Sequence, residues 1–471
     1  MKKNIAQPLR RKIVRRDFLR QAAAAGALTG AYAMAPRLFA GAAPGTPRHQ
    51  RPNILVIVTD QQHLETLSGL GVRTLATPNL DRLLRRGTCF TASYSGGAVC
   101  CPSRAALLTG RTPSETGVVN NQSARIRDGI ANSGHLLSAA GYDCYYAGKW
   151  HLPMDATWRI PGFKTIAINQ NTQGHLRDSH VARTCEAFLT SRRGSTPFFL
   201  NVNFLQPHDI CQFDSCHVAG LSEDHGCRHI EAEFPALPPN HRRFPAGEPP
   251  GYLKRREQLA HWDDRMWRYQ AWAYDRLVEQ VDAEIGRLLD TLEATGLEKN
   301  TLVYFTSDHG EGRGRHGLDG KSFLYDAAIR VPTIVSWAGE LPEGRVDRSQ
   351  LVSGVDMVPT ICDFAGAKAE NLRGLSLRPT LEGGGGPARE FITVEMERNR
   401  AVITHRHKLV AFPGDRVRQF FDLESDPWEL VNLAETAEHA AAVAHHHRLL
   451  ADWERRLEAV PNGRFAWEAL E

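Results

Sequence analysis

Three short apolar runs stand out along the chain, and each stops at an ionisable residue. Ile54-Leu55-Val56-Ile57-Val58 ends at Thr59-Asp60-Gln61, and Phe198-Phe199-Leu200-Asn201-Val202-Asn203-Phe204 ends at Gln206-Pro207-His208. Leu302-Val303-Tyr304-Phe305 ends at Thr306-Ser307-Asp308-His309-Gly310. Runs this short and this rich in β-branched and aromatic residues predict buried strands of an α/β sheet. In such sheets the site lies beyond the carboxyl ends of the strands, so the three ends converge on one cleft. Val331–Trp337 predicts a further core strand. Helical spacing of Leu277, Val278, Val281, Ile285, Leu288, Leu289 and Leu292 predicts a helix over 275–295 that stops at Gly296. Residues 235–251 are rich in proline and glycine and predict a surface loop. The run Gly383-Gly384-Gly385-Gly386-Pro387 predicts a linker. Beyond it, strand-like runs at 391–396, 400–404, 407–412 and 419–423 and a helix at about 437–459 predict a small antiparallel sheet with one packed helix.

Composition changes the picture only through its distribution. Hydrophobic residues at 42% and charged residues at 23% are ordinary globular values. The net charge is +4, but residues 1–43 hold nine basic residues against Asp17 alone, which leaves the remainder acidic. A nucleic-acid binder keeps its basic surplus in its folded part, so that class is excluded. Nine cysteines form an odd count, which hints that at least one has a chemical task.

The richest segment is Cys100-Cys101-Pro102-Ser103-Arg104-Ala105-Ala106-Leu107-Leu108-Thr109-Gly110-Arg111. By itself it predicts a helix start, with Pro102 in the first turn, Ser103 able to cap and Gly110 as the stop. A cysteine there feels the helix dipole and the free N–H groups, which favour anions.

The same segment resembles the signature of the type I sulfatases of the alkaline phosphatase superfamily. That signature is Cys-x-Pro-Ser-Arg followed by Leu-Thr-Gly-Arg, and both halves stand in register here. The resemblance extends through Arg51-Pro52-Asn53, Thr77-Pro78-Asn79-Leu80-Asp81, Gly148-Lys149-Trp150-His151, Ser307-Asp308-His309-Gly310-Glu311, Gly320-Lys321 and Phe421-Asp422-Leu423. It implies an alkaline-phosphatase-like mixed sheet sandwiched by helices, with a small C-terminal α+β part. The implied boundaries are a catalytic domain at 50–382 and a subdomain at 388–471. It also implies that a maturase oxidises Cys100 to formylglycine, the nucleophile, with Cys101 at the variable position as a small buried filler.

The resemblance assigns a metal site to Asp60, Gln61, Cys100, Asp308 and His309, with calcium as the family norm and magnesium as the alternative. Many members carry a second aspartate where this chain has Gln61, and asparagine where it has His309. Arg104 is expected to hold the hydrated nucleophile, and Lys149 and Lys321 to bind sulfuryl oxygens. His208 or Lys321 would protonate the leaving oxygen, and His151 would take the proton that expels sulfate. The implied substrate is an aryl sulfate or a sulfated carbohydrate. The competing assignment is a phosphonate monoester or phosphodiester hydrolase that uses the same modified cysteine.

Other features stay outside that scheme. Arg15-Arg16-Asp17-Phe18-Leu19 followed by the mild apolar run 22–35 resembles a twin-arginine signal over residues 1–43. It implies passage through the twin-arginine translocase to a periplasmic or secreted location. The apolar run falls short of the ~20 residues that span a membrane. Cys211, Cys216 and Cys227 match no standard zinc spacing, which leaves a disulfide among them or a substrate-facing insertion. His445-His446-His447 is expected on a solvated helix face. Arg313, Arg315 and His316 are expected either to meet an acidic substrate or to lie in a solvated loop.

Overall fold

The first apolar run forms β1 (Asn53–Asp60), and every residue in it is buried. An alternation explains why both faces of this strand are apolar. Leu55 and Ile57 join the core on one face of the sheet, while Ile54, Val56 and Val58 join the core on the other. Full burial of each such side chain is worth about 1.5–3 kcal/mol. The computed structural model describes residues 51–458 apart from 123–124, 153–158, 170–172, 214–229, 387–388 and 415–416. The twin-arginine segment, Cys216 and Cys227 lie outside the described residues.

The main sheet has eight strands in the order β5 (Lys164–Asn169), β4 (Asp143–Lys149), β6 (Phe198–Pro207), β1, β7 (Thr301–Ser307), β8 (Thr333–Ser336), β2 (Gly87–Phe90) and β9 (Arg345–Asp347). The first five run parallel, whereas β8 is antiparallel to both β7 and β2. A two-stranded ladder of β3 (Ser93–Tyr94) and β10 (Val352–Ser353) lies apart from it. The sheet is therefore mixed, as the resemblance implies. The expected strand at 331–337 is observed only at its centre.

Helices cover both faces. The helices Gly174–Ser191 and Asp264–Ala294 pack on one side through Val181, Ala182, Val281, Ile285 and Leu288. The helices Cys100–Thr109 and Met357–Ala365 pack on the other through Leu107, Met357, Val358 and Ile361. The long helix begins eleven residues before the expected start. Asp263 caps it by accepting from the Met266 N–H at 2.7 Å, and Trp267, Ala271 and Tyr274 extend the buried stripe. Aromatic residues at helical spacing hid that first third behind a loop-like composition.

The C-terminal sheet is antiparallel: β11 (Ile392–Met396), β12 (Asn399–Ile403), β13 (His407–Phe412) and β14 (Val417–Asp422). The helix Ala440–Arg456 covers one face through Val443, Leu449 and Leu450. The other face shares a core with Tyr252, Leu324 and Tyr325 of the main body. That packing corrects the expectation for the histidine run. His446 is buried against Phe420 and its Nε2 lies 3.2 Å from the Thr404 hydroxyl, because one stripe of this helix must face the sheet. No helix among the described residues is long and apolar enough to cross a membrane.

Candidate active site

Four neighbouring parallel strands, β4, β6, β1 and β7, end at one edge of the sheet, and each delivers a polar residue there. β1 ends in Asp60 and leads into Gln61, and β7 leads into Asp308 and His309. β6 leads into His208, and β4 ends in Lys149. β4 carries the mixed sequence Asp143-Cys144-Tyr145-Tyr146-Ala147-Gly148-Lys149, whose apolar stretch is short and bounded by charged residues and a glycine, so its strand signal is weak. It is a strand because it pairs with β5 and β6. Gly148 sits at φ 98°, and a Cβ there would lie 1.9 Å from the Asn203 carbonyl oxygen. Only glycine permits this approach and sets the direction of Lys149. The end of β6 is pinned by Asp178, whose carboxylate accepts from Leu205 N–H at 2.8 Å and Gln206 N–H at 2.7 Å.

The helix Cys100–Thr109 starts in the same cleft, with every residue buried. Ser103 does not cap it. Its hydroxyl donates instead to the Asp308 carbonyl, and the Asn121 side chain caps the helix from a distance by accepting from Cys101 N–H at 3.0 Å. Cys101 is fully buried and its thiol donates to the His151 carbonyl at 3.1 Å.

The charges are layered. Arg104 reaches back from within the helix and its guanidinium bridges both carboxylates, at 2.8 Å to Asp60 Oδ2 and 3.0 Å to Asp308 Oδ2. It also donates to Asn203 Oδ1 at 3.1 Å and to the Lys149 carbonyl at 3.2 Å. Lys149 Nζ lies 2.6 Å from Asp60 Oδ2, and neither side chain is exposed. Lys321 Nζ donates to Gln61 Oε1 at 2.5 Å. The Cys100 sulfur lies 3.1 Å from His309 Nε2 and 3.9 Å from Asp60 Oδ1.

Burial would raise the Asp60 carboxyl, but Lys149, His208, Arg104 and Lys321 outweigh it and hold it well below the usual range. Asp308 has the weaker cationic surroundings, and burial with the charge of Asp60 pushes it up to about 6. Burial also lowers His208, against the pull of Asp60. Lys321 is raised despite burial by Cys100, Cys211 and Asp60 around it.

Asp60, Cys100, Asp308 and His309 bring one ligand atom each within 4.8 Å of one another, all buried. Two buried carboxylates this close need positive charge beside them, which Arg104 and Lys149 supply in part. The His309 Nδ1 lies 3.0 Å from the Gly310 carbonyl, which fixes the proton there and leaves the Nε2 lone pair facing the Cys100 sulfur and the cluster. Two carboxylate oxygens lead this donor set, which suits a hard divalent cation.

Nine of the ten residues expected from the sequence thus face one cleft: Asp60, Gln61, Cys100, Arg104, Lys149, His208, Asp308, His309 and Lys321. His151 stands beside the nucleophile segment at φ 61°, joined to it through its backbone carbonyl. The three basic residues after the Asp308 motif have other partners. Arg313 pairs with Asp275 at 2.6 Å, Arg315 pairs with Glu65 and lies over Trp428, and His316 is buried against Tyr325. They are tied down because their loop folds back on the body, which corrects both expectations for them. Sequence reasoning missed Asn203 and Glu311. A signal existed for Asn203, since an asparagine inside an apolar strand must find a buried partner.

The Sulfatase family model matches residues 52–367, and the model for the C-terminal region of N-sulphoglucosamine sulphohydrolase matches residues 314–456. The Delta 4,5-hexuronate-2-O-sulfatase of Bacteroides thetaiotaomicron is 28% identical, over 86% of this chain and 89% of its own length. The N-acetylglucosamine-6-O-sulfatase of the same organism is 27% identical, over 88% of each. The solved structure of a 2-O GAG sulfatase superposes with a TM-score of 0.78 at 26% identity, covering 87% of this chain and 93% of that one.

Proposed function

The chain belongs to the sulfatase family, and from that premise we propose that it removes sulfate from sulfated glycans with formylglycine at position 100 and a bound calcium ion. The observation that carries this is the buried cluster of Asp60, Cys100, Asp308 and His309, ringed by Arg104, Lys149 and Lys321. The relatives that act on hexuronate and N-acetylglucosamine sulfates support the glycan as substrate.

Asp60, Gln61, Asp308 and His309 would hold the cation, which when bound neutralises sulfuryl oxygens and eases loss of a proton from the attacking hydroxyl. Oxidised and hydrated, residue 100 supplies that hydroxyl. Arg104 ties the two carboxylates together from within the helix that begins at residue 100, where it would steady the hydrated residue. Lys149 and Lys321 bind the sulfuryl oxygens as charge builds up on them. Lys321, which donates to Gln61 Oε1 at 2.5 Å, stays an anchor. His208, at the end of β6 beside Asp60, which favours its protonated form, is placed to give a proton to the leaving oxygen. His151 takes the proton whose loss releases sulfate.

The division into a catalytic domain at 50–382 and a subdomain at 388–471 forms part of this proposal. So do maturation by a formylglycine-generating enzyme and export by the twin-arginine translocase.

The test is a panel of sulfated saccharides, aryl sulfates and matched phosphonate monoesters, with mass spectrometry of the peptide containing residue 100. The aldehyde or its hydrate is expected there, with higher kcat/KM for sulfates and no turnover by Cys100→Ala. His208→Ala should slow poor leaving groups most, by about 10²–10⁴-fold. A preference for phosphonates would move the enzyme to the competing assignment.

A further inference from the structure

Gln61 is fully buried, and its amide spans two charged groups of opposite sign. Its Nε2 donates to Glu311 Oε2 at 2.5 Å, while its Oε1 accepts from Lys321 Nζ at 2.5 Å. An amide has one donating and one accepting end, so the two ends are not interchangeable. The reversed orientation would set an NH₂ against an ammonium and a carbonyl against a carboxylate. Two aspartates in sequence would need no such arrangement, since a carboxylate accepts at both ends. Where glutamine follows Asp60, something must decide which end faces the cation site.

We propose that Glu311 is the positioning residue that turns the Gln61 carbonyl toward Lys321 and the Cys211 thiol, on the side from which Gln61 would reach the cation of the proposed function. Glu311 is itself held from several sides. Oε1 accepts from Gly320 N–H at 2.7 Å and from Gln270 Nε2 and Arg313 N–H, both at 3.3 Å. The Gly320 bond matters because Gly320 precedes Lys321, so one carboxylate orients the amide and also tethers the backbone of the lysine that the amide receives. The backbone of Gln61 is fixed independently of Glu311. It lies at φ 70°, with its N–H donating to Asp308 Oδ1 at 3.0 Å and its carbonyl accepting from the Tyr274 hydroxyl at 2.6 Å. Glu311 therefore decides the orientation of a side chain whose backbone is already set.

This inference rests on the cation site of the proposed function, and its main readout uses no substrate. Calcium and magnesium titrations would be run by calorimetry on the matured full chain, beside melting temperature and the separate values of kcat and KM. Glu311→Gln has one accepting end, so keeping Gly320 and Arg313 on it turns an NH₂ toward the Gln61 amide. Cation affinity is expected to fall 10–100-fold, the usual effect of losing an outer-shell partner. KM should rise as Lys321 loses its anchor. The double variant Gln61→Glu with Glu311→Gln keeps the total charge and restores a donor opposite an acceptor at both ends. It should recover cation affinity to within about threefold, whereas Gln61→Glu alone should lose it by setting two carboxylates face to face. Unchanged affinity in Glu311→Gln would overturn the proposal. So would a loss that the double variant fails to rescue while melting temperature falls, because Glu311 would then be only a loop anchor. A preference for phosphonate substrates would leave the titration result intact, so the two failures are separable.

Discussion

His316, expected from the sequence against an acidic substrate or in a solvated loop, is structural. Its ring stacks on Tyr325 with centroids 4.0 Å apart, and its nitrogens lie 3.2 Å from the Arg243 carbonyl and 3.1 Å from Asn240 Nδ2. Burial pushes the imidazole down to about 3. An unfolded histidine titrates near 6.5, so between those values the unfolded chain holds a proton that the folded chain does not. The stability from this group is complete above about pH 6.5 and is lost as pH falls toward about 3. At about 1.4 kcal/mol per pH unit, the wild type should lose about 2 kcal/mol between pH 6.5 and pH 5 through this residue. His316→Gln should be less stable at pH 7 but show a flatter decline over the same interval. Urea midpoints at the two pH values would measure it, and an equally steep decline in the variant would refute the assignment. At the same scale, Gln61 and His309, where the chain departs from the pattern it resembles, each have a partner that sets their orientation: Glu311 accepts from the Gln61 amide, and the Gly310 carbonyl faces His309 Nδ1.

Among the strands that end at the site, β4 has the weakest pattern. Its partner strands, rather than its residues, make it a strand, and Gly148 lets it run close enough to β6 for Lys149 to reach Asp60. Gly148→Ala would force its methyl into the Asn203 carbonyl, at a φ of 98° that side chains avoid. Asn203 also receives Arg104, so the shift would reach both cations. A displacement of about 1 Å can cost about 100-fold in rate, and kcat/KM of the variant should fall by about that factor. Near-normal kinetics would show that β4 can move without consequence.

Across the whole molecule, the C-terminal sheet is fastened to the body by a buried charge cluster. Lys408 is unexposed, and its Nζ lies 2.7 Å from Asp326 Oδ1 and in contact with Glu429. Glu429 in turn accepts from Asp326 N–H at 2.8 Å, and burial pushes its carboxyl up to about 7. Lys408→Met would leave two carboxylates buried without their cation, at a cost of about 3–5 kcal/mol. The loss should be smaller at pH 5 than at pH 8, since Glu429 can then take up a proton. Thermal melts at both pH values would test this, and equal losses at the two would mean that the cluster is not held by charge.

Much was legible in the sequence where one residue's surroundings are set by its neighbours in the chain. The apolar runs at 54–58, 198–204 and 302–305 predicted buried strands because apolar β-branched and aromatic side chains leave water wherever they are. The Cys100 segment carried its own signature, and glycine and proline marked turns that depend on local dihedral angles. The antiparallel sheet and its helix were likewise readable from periodicity and spacing. Tertiary structure decided what depends on distant partners. Little in Asp143–Lys149 told of a strand until β5 and β6 stood beside it. Nothing in Arg313, Arg315 or His316 told which would be taken by Asp275, Glu65 or Tyr325. The bridge from Arg104 to two aspartates 44 and 204 positions away arises because charge in a dry interior must be matched in space, whatever the distance along the chain.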